Sequence, residues 1–535
     1  MSAIPGPAAA ETYTGRTSWA RGMAAALRDY LRTEVGSAVV LVAAAVVALA
    51  WANLPGGRYE TVWTTSLSIH LGDWAITEDL RHWVNDGLMT FFFFVVGLEV
   101  RRELDMGEFR ERRRVAVPVI AALGGMTIPA LIYLAINAGG PNARAWGVAM
   151  PTDTALALGV LTLVGPRFPE RLRVFVLTLV VVDDIASLLV IAVAYTERLA
   201  LLATIIAVAL FGVIYLLRFV QVWRGPAYFV VGVALWVAML ESGVHPAVAG
   251  VAMGLLATAY PPKRQRLERA VWLTRMFREQ PTPEFARSAR LSVDAAISTN
   301  ERLQYLLHPW TSYVIVPLFA LANAGVVLRG DVLAAAARSP VTLGVVAGLV
   351  LGKPLGISGV SWLASRPWLG RLPLTVSFPR LVGASAVAGI GFTVSLFIAD
   401  LSLSGQQLED AKIGILGASL LASGLGWLVF RAIERLPEPL VARSVAATAP
   451  PPEELSAPVD PQRDHLRGPT EAPVTLVEYG DYECPYCGRA EPVVRELLAE
   501  FGDELRYVFR HLPLEDVHPH AQLGTAASPR QIDYG

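Results

Sequence analysis

The chain has 535 residues, of which 54% are hydrophobic and only 17% charged, whereas soluble domains usually carry about 25% charged residues. A net charge of −1 gives no argument for a nucleic-acid partner, and two cysteines, Cys484 and Cys487, exclude a disulfide framework for the apolar part. The composition is that of an all-α polytopic protein with the lipid bilayer as its solvent, and no cofactor is expected.

Arg16, Arg21, Arg28 and Arg32 precede the first apolar run, which ends at Trp51-Ala52-Asn53-Leu54-Pro55 without a small-residue cleavage site, so this run is expected to be a retained span. Taken in order, about twelve candidate spans follow from apolar runs long enough to cross a hydrocarbon core of ~30 Å. They cover approximately 36–53, 86–99, 115–136, 145–163, 174–195, 200–217, 226–240, 244–260, 311–328, 341–361, 376–400 and 411–431. The basic loops Arg101–Arg114, Pro166–Arg173, Arg218–Arg224, Lys263–Arg302 and Arg366–Arg371 each follow an even-numbered span. By the positive-inside rule these loops and both termini are cytoplasmic.

The first external loop, 55–85, is not lipidic. Residues 64–74 alternate apolar and polar side chains and then offer Gly72-Asp73, a hairpin turn signal. A small external β-hairpin over 61–76 is expected. An isolated hairpin is marginal in water, so pairing with a second copy to give a homodimer is one outcome and packing on its own bundle the other.

Span four is interrupted at Ala149-Met150-Pro151-Thr152-Asp153-Thr154, where Pro151 cannot donate its backbone hydrogen bond. Span eleven contains Ala388-Gly389-Ile390-Gly391-Phe392-Thr393, with two glycines where a helix is weakest. Each is the middle member of a group of three spans, three to five and ten to twelve. Two interrupted helices in corresponding positions of two repeats point to a transporter site. Asp153 is placed to neutralise facing half-helix N-termini.

Span five holds Val180-Val181-Val182-Asp183-Asp184-Ile185-Ala186, two adjacent carboxylates near the midpoint of an apolar run. Ionised groups at that depth are costly and mark ion or proton paths. Lys353, in Gly352-Lys353-Pro354, is the basic residue of span ten and needs an acidic partner. Successive helical residues point about 100° apart, so one aspartate is expected to pair with Lys353 while the other faces a cavity.

Together these residues resemble the NhaA-type Na+/H+ antiporters. The resemblance rests on Gly97-Leu98-Glu99-Val100-Arg101-Arg102-Glu103-Leu104, Pro151-Thr152-Asp153-Thr154, Val182-Asp183-Asp184, Pro317 to Gly325, Gly352-Lys353-Pro354-Leu355-Gly356 and Gly389-Ile390-Gly391-Phe392-Thr393, and covers about Ser18 to Arg435. It implies a twelve-span protein of the bacterial inner membrane with inverted repeats, exchanging Na+ or Li+ for H+, often dimeric through the external hairpin. It implies Asp183 and Asp184 as the groups that hold the transported Na+ and the protons, with Lys353 the basic partner of Asp183, and Asp153 and Thr152 as polar groups at the helix crossing. Glu99, Arg102 and Glu103 resemble the pH-responsive region of such antiporters, and His245, an imidazole that titrates in the useful range, matches a further family position. Gln304 departs from the pattern, because well-known members carry an acidic residue there.

After Arg435 the composition changes to a Pro-rich linker over 436–468. The segment 469–535 resembles the opening of a thioredoxin fold, with a strand at Val474–Tyr479, the motif Cys484-Pro485-Tyr486-Cys487, a helix over Arg489–Phe501 and a strand at Leu505–Arg510. Cys484 would attack and Cys487 resolve; a zinc site would need two more ligands, for which His518 and His520 are conceivable. About twenty residues after Leu514 are too few for the remaining strands, so a partial α/β module is expected. The domains are thus a cytoplasmic arm 1–33, a membrane domain 34–435, the linker and the thioredoxin-like segment. An antiporter, not an enzyme, is the favoured function. The alternative is a membrane-anchored thiol-disulfide oxidoreductase using Cys484 and Cys487.

Overall fold

The computed structural model describes residues 34–72, 74–106, 112–164, 170–196, 199–219, 225–260, 264–366, 376–433, 435, 458–460, 463–481 and 485–512. They fall into two compact units divided between Ala449 and Pro450. The first is helical apart from one hairpin, and the second is a small sheet with one long helix.

Seven helices among the described residues are long and apolar enough to cross a membrane. They are α1 (Glu34–Asn53), α3 (Leu80–Met106), α4 (Arg112–Asn137), α6 (Glu170–Ala194), α12 (Thr299–Asn323), α14 (Pro340–Ala364) and α17 (Gly405–Ile433). An eighth is the bent pair of a 3-10 helix, Pro141–Ala149, and α5, Thr154–Val164, which meet at 47°. Shorter apolar helices are α7 (Leu201–Phe219), α8 (Gly225–Ser242), α9 (Ala247–Leu256) and α16 (Thr393–Ser402). Apolar segments thus stand at every position where the sequence places a span, but by length and composition seven or eight meet the test for crossing, not twelve.

Small residues let these helices approach closely, as expected where lipid gives no hydrophobic force between them. A Cβ on Gly97 of α3 would lie 2.6 Å from the carbonyl of Val251 in α9, and one on Gly124 of α4 would lie 2.6 Å from the carbonyl of Gly356 in α14. These two seams hold the bundle's centre. Tyr59, in the short helix α2 (Tyr59–Trp63), ties this segment to the end of α12 by donating to the Leu321 carbonyl at 2.9 Å and accepting from the Gly325 N–H at 3.1 Å. Burial pushes its phenol up to about 12, so it stays a donor at any physiological pH.

Three expectations change in detail. The hairpin runs over 66–79 rather than 61–76. Residues 61–63 belong to α2, and the strands β1 (Ser66–Leu71) and β2 (Trp74–Asp79) pair from Ser66↔Asp79 to Leu71↔Trp74. The turn falls where Gly72-Asp73 put it, with Gly72 at φ +63°. The basic stretch 263–302 is not a loop. It forms α10 (Arg264–Glu279), α11 (Pro283–Ala296) and the first turn of α12, because Thr282 and Ser298 cap the N-termini of two amphipathic helices. The ninth span starts at Thr299, not 311, since Pro309 lies inside α12 and a π turn over Thr311–Ile315 absorbs it.

In the second unit the sheet order is β3-β5-β4, with β3 (His465–Arg467) antiparallel and β4 (Val474–Gly480) parallel to β5 (Leu505–His511). The parallel pair needs a crossover, which α18 (Pro485–Phe501) supplies. β3 lies within the stretch read as linker. Asp464, just before it, accepts from Arg463 Nε and Arg510 Nη2, both at 2.8 Å. The two guanidiniums, Arg463 first, hold its carboxyl well below the usual carboxylate range. Residues 1–33, 436–457, Cys484, His518 and His520 lie outside the described residues.

Candidate ion-binding site

The two interrupted segments meet at the centre of the first unit. α15 (Phe378–Val387) stops five residues before α16 begins at Thr393, and this break lies against residues 150–153. The Asp153 N–H donates to the Ile390 carbonyl at 2.7 Å, and the Thr152 hydroxyl donates to the Ala388 carbonyl at 2.8 Å. Gly389 and Gly391 are needed for this approach: a Cβ on Gly391 would lie 3.0 Å from the Pro151 carbonyl, and one on Gly389 would collide with the Leu349 carbonyl. Pro151 opens the other break by removing a donor from the helix.

Asp153, 3% exposed, holds the two helix starts together. Its Oδ1 accepts from the Leu156 N–H of α5 at 3.0 Å, and its Oδ2 accepts from the Thr393 N–H at 3.0 Å and the Thr393 hydroxyl at 2.8 Å. One carboxylate therefore caps two N-termini, each with the positive end of a helix dipole.

Beside the crossing, α6 runs unbroken through both aspartates. Asp183 is 1% exposed, and its Oδ2 takes the Thr152 N–H at 2.7 Å and the Lys353 ammonium at 2.9 Å. Lys353 is also 1% exposed and gives a second bond, 2.8 Å, to the Thr152 hydroxyl. It follows a π turn over Gly348–Gly352 in α14, an irregularity common at functional positions. Asp184 points elsewhere. It is half-buried and accepts no hydrogen bond among the described residues, in keeping with its ~100° offset from Asp183.

Of the remaining candidates, Glu99 is close enough to Asp184 for their charges to interact, and the others lie apart from this cluster. Glu99, Arg102 and Glu103 are on the last turns of α3, where Arg102 reaches the Gln304 side-chain oxygen at 3.5 Å. Gln304 in turn donates to Asn300, which is fully buried and bonds the Leu98 carbonyl at 2.8 Å. His245 precedes α9; its Nδ1 accepts from the Ala247 N–H at 3.2 Å, which leaves the proton on Nε2 for Asp86 Oδ1 at 3.1 Å. Cys487 is half-buried on the first turn of α18. Sequence reading missed Asp86 as this partner, and it missed the group formed by Asn85, Asn323 and Asp400, in which Asn85 donates to Asp400 at 2.8 Å and Asn323 donates to Asn85 at 2.8 Å. Their signal was weak, because Asp86 and Asp400 sit at the ends of apolar runs, where an acid is unremarkable.

Residues 28–430 match the family described as Na+/H+ antiporter 1. The chain belongs to this antiporter family. Relatives agree along nearly the whole length: the Na(+)/H(+) antiporter NhaA 1 of Salinispora arenicola is 54% identical over 98% of this chain and 80% of its own length. NhaA 3 of Salinispora tropica is 52% identical over the same shares, and NhaA of Herminiimonas arsenicoxydans is 44% identical over 95% of this chain and 81% of its own. Residues 461–532 match the family described as Thioredoxin. The relatives are named as transporters rather than enzymes, and membrane helices, antiport and a thioredoxin-like segment coexist in one chain.

Proposed function

We propose that this antiporter exchanges Na+ or Li+ for H+ at the carboxylates of α6, driven by the proton gradient. The observation that supports it most directly is the division of labour between neighbours: Asp183 is committed to Lys353 and Thr152, while Asp184 is half-buried on an apolar helix with no hydrogen-bond donor among the described residues. A desolvated carboxylate must be neutralised, by a proton or by a cation. Cation and proton therefore compete for Asp184, and each displaces the other.

Asp183 is the second member of the site. A cation between the carboxylates draws on Asp183 and weakens its bond to the ammonium, so Lys353 is freed to move or to release its own proton. More protons than cations then cross per cycle, which makes exchange electrogenic. The facing helix breaks give this site its mobility, because hydrogen bonds such as Asp153 N–H to Ile390 carbonyl join backbone that is not locked in a helix ladder.

In this reading the shorter helices α7, α8 and α9 and the α15/α16 pair complete twelve crossings, arranged as inverted repeats in the inner membrane with both termini cytoplasmic. The hairpin leaves Leu67 and Ile69 half exposed and its outer strand edge unpaired, which suits addition of a second copy. Glu99 and Glu103, with Arg102 beside them on the last turns of α3, and His245 against Asp86 are the groups proposed for the pH response. The antiporter domain spans 34–435, and the segment from 469 onward takes no part in the exchange step. Replacement of Asp184 by Asn, which keeps size but removes the charge, tests the core of this reading: Na+-driven proton movement in vesicles falls to background.

A further inference from the structure

We propose that Ser187 is an oxygen ligand of the transported cation and a determinant of the choice between Na+ and Li+; this rests on the carboxylate reading above. Ser187 is 1% exposed in α6, one turn after the aspartates, and its hydroxyl oxygen has no hydrogen-bond partner among the described residues. A buried hydroxyl left this way costs free energy, and the usual remedy is at hand, since a helical serine or threonine can donate to the carbonyl four residues earlier. Most other hydroxyls in these helices take that remedy, Ser395 of α16 excepted: Thr178 donates to Val174 in the same helix at 2.9 Å, Ser361 to Ile357 at 2.6 Å and Ser402 to Ile398 at 2.6 Å. The Ser187 hydroxyl makes no such bond.

Helix geometry says where it lies. At ~100° per residue, Ser187 projects ~40° from Asp183 and ~60° from Asp184, between the two carboxylates and about one turn further along α6. Asp183 Oδ1 is likewise buried without a partner, and Asp184 accepts no hydrogen bond among the described residues. Uncommitted oxygens of three residues therefore share one stripe of one helix, flanked by the buried apolar Leu188 and Ile191. Hard cations take oxygen ligands, and this stripe offers a carboxylate pair and then a hydroxyl. Toward the C-terminal end of α6 the hydroxyl is the group that replaces part of the ion's hydration shell.

The test measures half-saturating Na+ and Li+ for exchange in vesicles holding the full chain, for the native protein, Ser187→Ala, Ser187→Thr and Asp184→Asn. Loss of one oxygen ligand in Ser187→Ala raises the half-saturating concentration by about two- to tenfold, unequally for the two ions, while Ser187→Thr, which keeps the hydroxyl, stays near native. Unchanged half-saturation for both ions in Ser187→Ala, or an equal fall in maximal rate alone, overturns the proposal and leaves Ser187 as a small packing residue. Exchange that survives in Asp184→Asn overturns the carboxylate reading itself, independently of Ser187.

Discussion

Lys353 and Asp183 form a pair that water does not reach, each 1% exposed and 2.9 Å apart. Removing one partner from such a pair strands a charge and costs about 3–5 kcal/mol, whereas replacing both with apolar or neutral groups of similar size is far less harmful. Lys353→Ala should therefore lower the melting temperature of the detergent-solubilised protein sharply, and the double variant Asp183→Asn with Lys353→Met should recover most of that loss. A double variant no more stable than Lys353→Ala would show that the pair is not what holds this site. The two aspartates and the lysine were legible in the sequence because charges in apolar runs stand out. Which aspartate takes the lysine was not legible from spacing, since it depends on the rotation of α6 against α14; only the family resemblance pointed to Asp183. Ser187 was invisible for a different reason: a serine in an apolar helix is ordinary until its hydroxyl is seen to lack the usual carbonyl.

Elements rather than single residues set the crossing. Asp153 joins the starts of α5 and α16 through three accepted hydrogen bonds, so its loss uncaps both helices at once. Loss of a cap costs about 0.5–2 kcal/mol; for Asp153→Ala, with two helices involved, the upper part of that range is expected, read as a lower melting temperature, while Asp153→Asn retains an acceptor and falls between. If Asp153→Ala melts like the native protein, the carboxylate is not a structural cap. The glycine seams make a sharper prediction. Gly356→Val should abolish insertion of folded protein, since even a Cβ there meets the Gly124 carbonyl, and normal yield would mean that α4 and α14 can separate. The breaks themselves followed from Pro151 and from Gly389 and Gly391. The helical hairpin at 264–296 did not, because a run of arginines reads as a solvated loop unless the caps at Thr282 and Ser298 are weighed with the period of the apolar residues between them.

At the scale of the molecule two different solvents apply. The membrane unit is held by close helix contacts and buried polar pairs, and the second unit by an ordinary small sheet whose Asp464 is fixed by Arg463 and Arg510. Because the folded carboxyl is held below its ordinary value, its contribution is present at neutral pH, begins to fall as the pH drops below about 4, and is lost once the folded group protonates. Protection of the β5 amides, taken relative to the intrinsic exchange rate at each pH, should accordingly fall on acidification in the native chain, and that fall should flatten in Asp464→Asn. The thioredoxin-like segment was recognisable from its strand and cysteine spacing, yet the strand His465–Arg467 was hidden in a polar, Pro-flanked stretch because only pairing with β5 makes it a strand. The membrane count is the least transparent feature, since broken and short helices cross or fail to cross by context that hydropathy alone does not encode.

The claim on which the account turns is that Asp184 carries the exchange. Membrane vesicles with an acid interior and a pH-sensitive dye report proton exit when Na+ is added outside. The account predicts a Na+-dependent signal in the native protein and none in Asp184→Asn present at equal amount. A signal of native size in Asp184→Asn would contradict it.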